Sequence, residues 1–494
     1  DLQDPTAEFY NLDGEGDPLF NIYYGARVIN DVQLDGNYVQ TDTGHLVFDV
    51  AFGPYEYDLV TLTGDADVDG TGDVTFIWLS DAEATPLFTS PTGTATDNGL
   101  EITDTLAVDF SITTQAGDVL LNIDTDFGGV NGLNRNEREM GYHMDSNLLV
   151  GGAEGTGRLL AWLGNLQDEA LYNVLMTELN PEPHIAPLQG LLNTASSFSD
   201  DLQGCGTDTL MDPGEECSFF RIDAGTSDRD SSFERFGTQT NTTSLRAGYQ
   251  RPINDEWRMG MAIGIESINI HTIDNGRANT NGDGVTVGAT LQRRWSDGGV
   301  ITGSLTGGWM KYDTVRLMRL WEPFTIESEP EAGYVDLRFE AGHRFESEDG
   351  NAYFLPSLEF AATSLIHDGL YEMGADGNGV RSDGHTQYIT SASPNLEFGY
   401  IHDREEAGYA RLSFGIGARL TQQDHVGLPI SFRDAPAGVV PADIITEIDQ
   451  EMITFDAAVD LSNGDNLRVS LGYNGEYGDT TENHSAGFEI GFKF

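Results

Sequence analysis

A chain of 494 residues with 81 acidic against 25 basic side chains, formal charge −56, exceeds the usual single core and lacks the clustered Lys and Arg that phosphate binding needs, which excludes nucleic acid. Fifty-nine glycines, 17 prolines and 39% apolar residues favour many short strands, and no run of 18 apolar residues encodes a transmembrane helix, although a membrane β-barrel stays open because its strands hide their apolar face in alternation. The acid excess fits salty surroundings or divalent cations, and a start at Asp1 without Met or a signal-like segment reads as a processed or trimmed product.

Residues 1–133 are acidic and strand-like. The runs "HLVFDVAF", "DLVTLTG", "DVTFIWL", "LAVDFSI" and "VLLNID", separated by Gly/Asp turns, predict the stacked coils of a β-solenoid, with a sandwich as the alternative. Within them, "DADVDGTGDVTF" places Asp65, Asp67 and Asp69 at alternate positions before Gly70, as in the first half of an EF-hand loop. Phe76 stands where that loop needs a bidentate Glu, so the corner of a coil is the better reading, with Gly64, Gly70 and Gly72 turning the chain.

Residues 134–204 change character to a helical linker of two or three pieces. Leu159, Leu160, Trp162, Leu163, Leu166, Leu171 and Leu175 repeat at helical spacing, Asp168 and Glu169 help open the second half, and Pro181 and Pro183 interrupt. "GAEGTGRL" keeps phosphate-loop glycine spacing but has Arg158 and Leu159 where Lys and Ser/Thr are needed, so it reads as the turn before a helix. Cys205 and Cys217, eleven residues apart, predict a small disulfide-closed loop, with two free thiols as the alternative.

From 217 to Phe494 there are twelve alternating runs, near 217–225, 241–251, 257–272, 283–295, 299–314, 331–346, 351–368, 387–402, 407–422, 447–462, 466–478 and 484–494. In "WRMGMAIGI", Trp257, Met259, Met261, Ile263 and Ile265 share one face and Arg258, Gly260, Ala262 and Gly264 the other. The connections after runs two, four, six, eight and ten are short and those after runs one, three, five, seven and nine are long, the pattern of an outer-membrane barrel with its turns in the periplasm. Trp257, Trp295, Tyr353 and Tyr409 stand at the short-turn ends, as an aromatic girdle would. The fold class is therefore all-β: a 12-stranded antiparallel transmembrane barrel over 205–494, preceded by the linker and a short solenoid.

The ending "FEIGFKF" alternates Phe488, Ile490, Phe492 and Phe494 and resembles the signal by which the barrel-assembly machinery recognises outer-membrane strands. With the Leu-rich linker ending in "ELNPE", the chain resembles a bacterial autotransporter, a type V secretion protein. That resemblance implies that residues 184–204 thread the lumen, that 1–133 end a β-helical passenger and assist its folding, and that the barrel delivers and anchors the passenger at the surface of a Gram-negative cell. It implies as partners outer-membrane lipid and lipopolysaccharide, the barrel-assembly machinery and periplasmic chaperones, with a monomeric barrel. Arg246, Arg258, Asp336, Arg338, Glu340, Arg411, Arg419, Asp456 and Arg468 are the expected lumen-facing residues. Members that cut themselves use an Asn-Asn pair, whereas Asn193 precedes Thr194 here, so no cleavage is expected at that point.

No catalytic constellation stands out, so no enzyme is expected, and no cofactor. The calcium candidates are Asp65, Asp67 and Asp69, with Asp283 and Asp376 in expected outer loops, where turn formation is the commoner reason for such strings. His271, His343, His367 and His385 are expected as surface or rim residues. The competing functions are a porin-like solute channel and a surface adhesin or structural outer-membrane protein with an accessory N-terminal β domain.

Overall fold

A computed structural model describes residues 31–52, 57–152, 154–202, 216–273, 277–403, 408–463 and 465–494. Twelve strands close into an antiparallel barrel: β1 (Cys217–Arg229), β2 (Gly237–Pro252), β3 (Trp257–Ile273), β4 (Ala278–Arg294), β5 (Gly299–Arg319), β6 (Glu331–His343), β7 (Ala352–His367), β8 (His385–Asp403), β9 (Tyr409–Thr421), β10 (Glu451–Ser462), β11 (Leu467–Tyr477) and β12 (Thr481–Lys493). Closure comes from β1 against β12, in register from Cys217 opposite Lys493 to Arg229 opposite Thr481. All twelve runs expected from the alternation are strands. The physical reason is the period-two pattern: Met261, Ile263 and Ile265 are exposed on the outer wall while Gly260, Ala262 and Gly264 are buried inside.

Among the described residues four α-helices precede the barrel, more than the two or three pieces expected: α1 (Arg135–Val150), α2 (Gly157–Gly164), α3 (Glu169–Leu179) and α4 (Ala186–Asp201). A capping box opens α1, Asn134 accepting from the Glu137 backbone while the Glu137 carboxylate accepts from Asn134. Asp168 caps α3 by accepting from Ala170 and Leu171. The glycine-rich stretch before α2 is a short 3-10 turn, Glu154–Thr156.

N-terminal to the helices, strands stack in parallel as solenoid coils. Asp31 lies opposite Leu59, Tyr38 opposite Ala66 and Val60 opposite Phe88, and side chains such as Asn37 bond backbone 28 residues further on. The last two runs depart from the coil pattern. Val108–Gln115 and Asp118–Thr125 form an antiparallel hairpin, and the second also pairs antiparallel with Thr85–Thr89. The aspartates of "DADVDG" serve the coils themselves: Asp65 accepts from Thr94 N–H, Asp67 from the Asn98 amide and Asp69 from Gly70 N–H. Gly70 needs its glycine, since φ is +94° and an added Cβ would lie 2.4 Å from the Gly44 carbonyl oxygen.

The long loops carry structure that the alternation did not predict. Leu370–Tyr371, Val380–Ser382, His425–Phe432 and Ala442–Glu447 build a four-stranded sheet at the long-loop end, the outer mouth. The helices fill the space between this sheet and the coils, so one apolar core runs from Phe76 and Leu79 through Leu159 and Leu163 to Trp321 and Phe432. Two local expectations need correction. Residues 279–283 lie in β4, where Asp283 pairs with Ser267 and Lys311 in the ladder rather than occupying a loop. Asp376 opens a short 3-10 turn, Asp376–Asn378.

Candidate functional site in the lumen and at the outer mouth

The chain passes through the barrel. Helix α4 starts high on the long-loop side, where Tyr312 Oη donates to the Pro187 carbonyl at 3.4 Å, and it ends low, where Gln250 donates to the Leu202 carbonyl at 2.9 Å. Both barrel termini meet at the short-turn end, Glu216 and Phe494 exchanging backbone hydrogen bonds of 3.2 and 3.0 Å. Residues 31–184 therefore sit at the opposite end of the barrel from its own two termini.

Apolar packing and charge hold α4 in different halves. Its upper half packs Leu188 and Leu191 into the continuous core, and Gly190 lies so near the wall that a Cβ would come within 2.4 Å of Ile268. Lower down, Phe198 sits under the Arg246 guanidinium, 5.4 Å from ring centre to Cζ, against wall positions Gly264 and Gly288. Arg246 is the hub of this half. It donates to the Asp201 carboxylate, to the Ser197 carbonyl at 2.9 Å and to Glu266 at 2.7 Å. Arg221 adds a second cation to Asp201 at 3.1 Å, and Ser199 donates to Asp336 at 2.8 Å. A buried carboxylate needs such partners, because an unpaired one forfeits its hydration with no return.

Of the nine residues expected in the lumen, Arg246, Asp336 and Arg338 touch α4, the last through Asp200 at 3.5 Å. Arg411 and Arg468 converge instead on Asp460, at 2.7 and 2.5 Å. Arg419 pairs with Glu476, and Glu340 and Asp456 line a cavity of about 410 Å³ beside the helix. Arg258 lies on the inward register of β3 near the short turn, opposite Gln292. Sequence reasoning missed Asp201, Arg221, Glu266, Asp460 and Glu489, although Glu266 and Asp460 share strand parity with Arg258 and Asp456, which were found.

Tyr353 and Tyr409 are not girdle residues. Both fall on the inward parity of their strands; Tyr353 donates to Glu397 and carries Arg344 over its ring at 3.9 Å. Trp257 and Trp295 do flank the outer wall, on either side of Arg293. Phe488, Phe492 and Phe494 are exposed on the outer face of β12 and its end, with Ile490 on the same face. Cys217 is buried at the start of β1, and its expected partner Cys205 lies outside the described residues. His271 is exposed, but His367 is buried, so the surface expectation fails there: it sits beneath the outer-mouth sheet and accepts from Gly369 N–H at 3.1 Å. Among the described residues no group of three metal-ligating side chains gathers.

At the outer mouth the linker is fastened to the loops by two buried carboxylates. Glu372 accepts from Arg316 Nε at 2.5 Å and Nη2 at 3.0 Å, from His184 at 2.6 Å and from Val380 N–H at 2.8 Å. Burial alone would raise its pKa, but Arg316 and His184 hold it well below the usual carboxylate range. Glu182 is less well supplied. Arg229 approaches to 3.4 Å, Phe236 N–H and Thr446 donate at 3.1 Å each, and burial wins, pushing Glu182 up to about 7. Two linker side chains also complete the loops' backbone bonding. Asn136 pairs with Ile445 in both directions, at 2.7 and 3.0 Å. His143 reaches the Val440 carbonyl at 2.7 Å and accepts from Phe432 N–H at 2.9 Å.

Comparison with known proteins places this architecture. A family model described as the autotransporter beta-domain matches residues 218–474. No curated protein matches the chain. Among solved structures it is similar to the translocator domain of autotransporter NalP from Neisseria meningitidis, at 14% identity and TM-score 0.48 over 63% of this chain and 96% of that one. It is similar also to the transport unit of autotransporter AIDA-I from Escherichia coli, at 13% identity and TM-score 0.43 over 62% and 99%. The beta domain of the Bordetella autotransporter BrkA follows, at 15% identity and TM-score 0.42 over 57% and 99%. Because the beta-domain match spans more than half of its length, the chain belongs to the autotransporter family, and its barrel is an outer-membrane translocator.

Proposed function

We propose that this translocator has delivered residues 31–184 through its own lumen to the cell surface and anchors them there, with the coils as the end of a longer passenger and α4 as the plug that remains behind. The supporting observation is topological. A chain that enters at the long-loop mouth and leaves beside both barrel termini has its N-terminal part across the membrane from those termini. The clamp at the outer mouth supports anchoring, since Asn136, His143, Glu182 and His184 bind loops that exist only at that end. The outward row Phe488, Ile490, Phe492 and Phe494 on the closing strand is the proposed recognition element for the barrel-assembly machinery.

Planar-bilayer conductance of the full chain and of a variant lacking 186–201 tests the plug. The deletion is expected to raise conductance severalfold. If the full chain already conducts as freely as the deletion, it works as a porin-like channel. External protease on intact cells tests the orientation: cleavage is expected within 31–133, and complete protection would place the coils inside.

A further inference from the structure

We infer that the outer wall at the short-turn end of β2 to β4 binds the headgroup of one glycerophospholipid carrying a phosphate beside a primary ammonium. The inference rests on the membrane-spanning reading of the barrel. The chain holds 25 basic side chains in all, and the lumen residues Arg221, Arg246, Arg338, Arg411, Arg419 and Arg468 sit on carboxylates, so bases turned toward lipid are informative. Arg251 is exposed on the outer face of β2, opposite Met259, and Arg293 stands on the same face of β4, opposite Trp257. One strand separates them. Two ladder spacings with a two-residue offset along the strands amount to roughly 12 Å, which two extended guanidinium side chains span jointly around a single phosphate.

Three further features fit a lipid rather than a free anion. Arg293 is held between Trp257 and Trp295, with ring centroids 5.5 and 4.7 Å from its Cζ, so a cation is fixed at the depth that tryptophans take at a bilayer interface. Immediately membrane-ward lie Met261, Ile263, Leu291 and Val287, all exposed and apolar, a surface for acyl chains. Glu256 supplies the opposite charge. It accepts from Arg293 at 2.8 and 3.0 Å through Oε2 alone, and its half-exposed carboxylate leaves Oε1 for an ammonium donor. Two cations beside one carboxylate complement a zwitterionic ethanolamine headgroup better than a purely anionic glycerol one, and a choline headgroup has no N–H to donate.

Native mass spectrometry of the detergent-solubilised full chain, titrated separately with phosphatidylethanolamine, phosphatidylglycerol, phosphatidylcholine and inorganic phosphate, tests this. One phosphatidylethanolamine is expected to be retained per chain. The double variant Arg251→Gln/Arg293→Gln should weaken that retention at least tenfold, and Glu256→Gln should abolish the preference over phosphatidylcholine. A mobility difference on gels between unheated and boiled samples confirms that each variant barrel is folded. Retention unchanged in the double variant, equal binding of inorganic phosphate, or a preference for phosphatidylglycerol each overturns the inference. Failure here with a conductance rise on removing 186–201 would leave the translocator reading standing.

Discussion

The lower lumen and the outer mouth both bury charge around the threaded chain, but they do so under different dielectric conditions. In the lumen, Asp201 is shared by Arg221 and Arg246 beside a cavity of about 410 Å³, so the loss of one partner leaves a second cation and open space. At the outer mouth, Glu372 and Arg316 have side-chain exposures of 0% and 3%; Arg246 in the lumen is as buried at 2%, so the contrast lies in the carboxylates, Asp201 being 10% exposed. A dry pair has no substitute for a lost partner. Helix α4 is thus held by a redundant seam and the linker by a few contacts with less to replace them.

The largest expected effect follows from that difference. Arg316→Met strands the Glu372 carboxylate with only His184 and one backbone donor, and breaking a buried pair on one side costs about 3–5 kcal/mol. Limited proteolysis should then cut the 135–184 helices while the heat-modifiable barrel band survives. Equal protease resistance would show that the outer mouth is not dry. Next, Arg246→Met removes the lumen hub, leaving Arg221 on Asp201 and, for Glu266, Thr194 at 3.5 Å beside a cavity of about 110 Å³, for a loss of about 1–3 kcal/mol, and should appear as brief openings in single-channel records without loss of the barrel. If those openings match the conductance of the 186–201 deletion, the seam is not redundant.

Asn136→Ala tests the loop edge, and it also removes a donor 3.3 Å from the Glu182 carboxylate. It leaves Ile445 N–H and C=O without their partner at an estimated cost of about 1–3 kcal/mol, read as faster hydrogen exchange at 442–447. The pH response is expected to be shallower still. Glu182 is raised to about 7 in the docked state from an ordinary value near 4.5, so docking takes up a proton. Its contribution is fully present below about 4.5 and is lost as pH rises through 7, so the stalk should become more protease-sensitive across that window. Glu182→Gln should flatten the profile. The smallest effect is Lys311→Gln: its contact with Glu329 is solvent-exposed on both sides, and no measurable change in either assay is expected.

Much of the wall was legible because a barrel strand repeats its solvent at every second residue. That local rule found all twelve strands and placed Arg246, Asp336 and Arg338 inside, where they touch α4. It failed where side-chain chemistry did not match the face. Tyr353 and Tyr409 resemble interfacial aromatics in composition, and only their parity, combined with Glu397 and Arg344 nearby, turns them inward. The aspartates 65, 67 and 69 show the same limit, since their partners Thr94, Asn98 and Gly70 are known only once the coils stack.

The sequence by itself therefore determined the elements whose environment repeats along the chain: the period-two wall, the helical spacing of the linker, its Asp168 cap, and most of the short and long connections, although the one after β3, expected to be long, spans only 274–277, as short as the turn 253–256, because both flanking strands run further than expected. Tertiary structure alone decided the contacts that join distant segments. Asn136 meets Ile445 across 309 residues and His184 meets Glu372 across 188, and neither partner carries a local signal for the other. The reason is physical: alternation records which solvent a residue faces, whereas a buried hydrogen bond depends on which other chain segment excludes that solvent, and that is fixed only when the linker has docked between the coils and the outer loops.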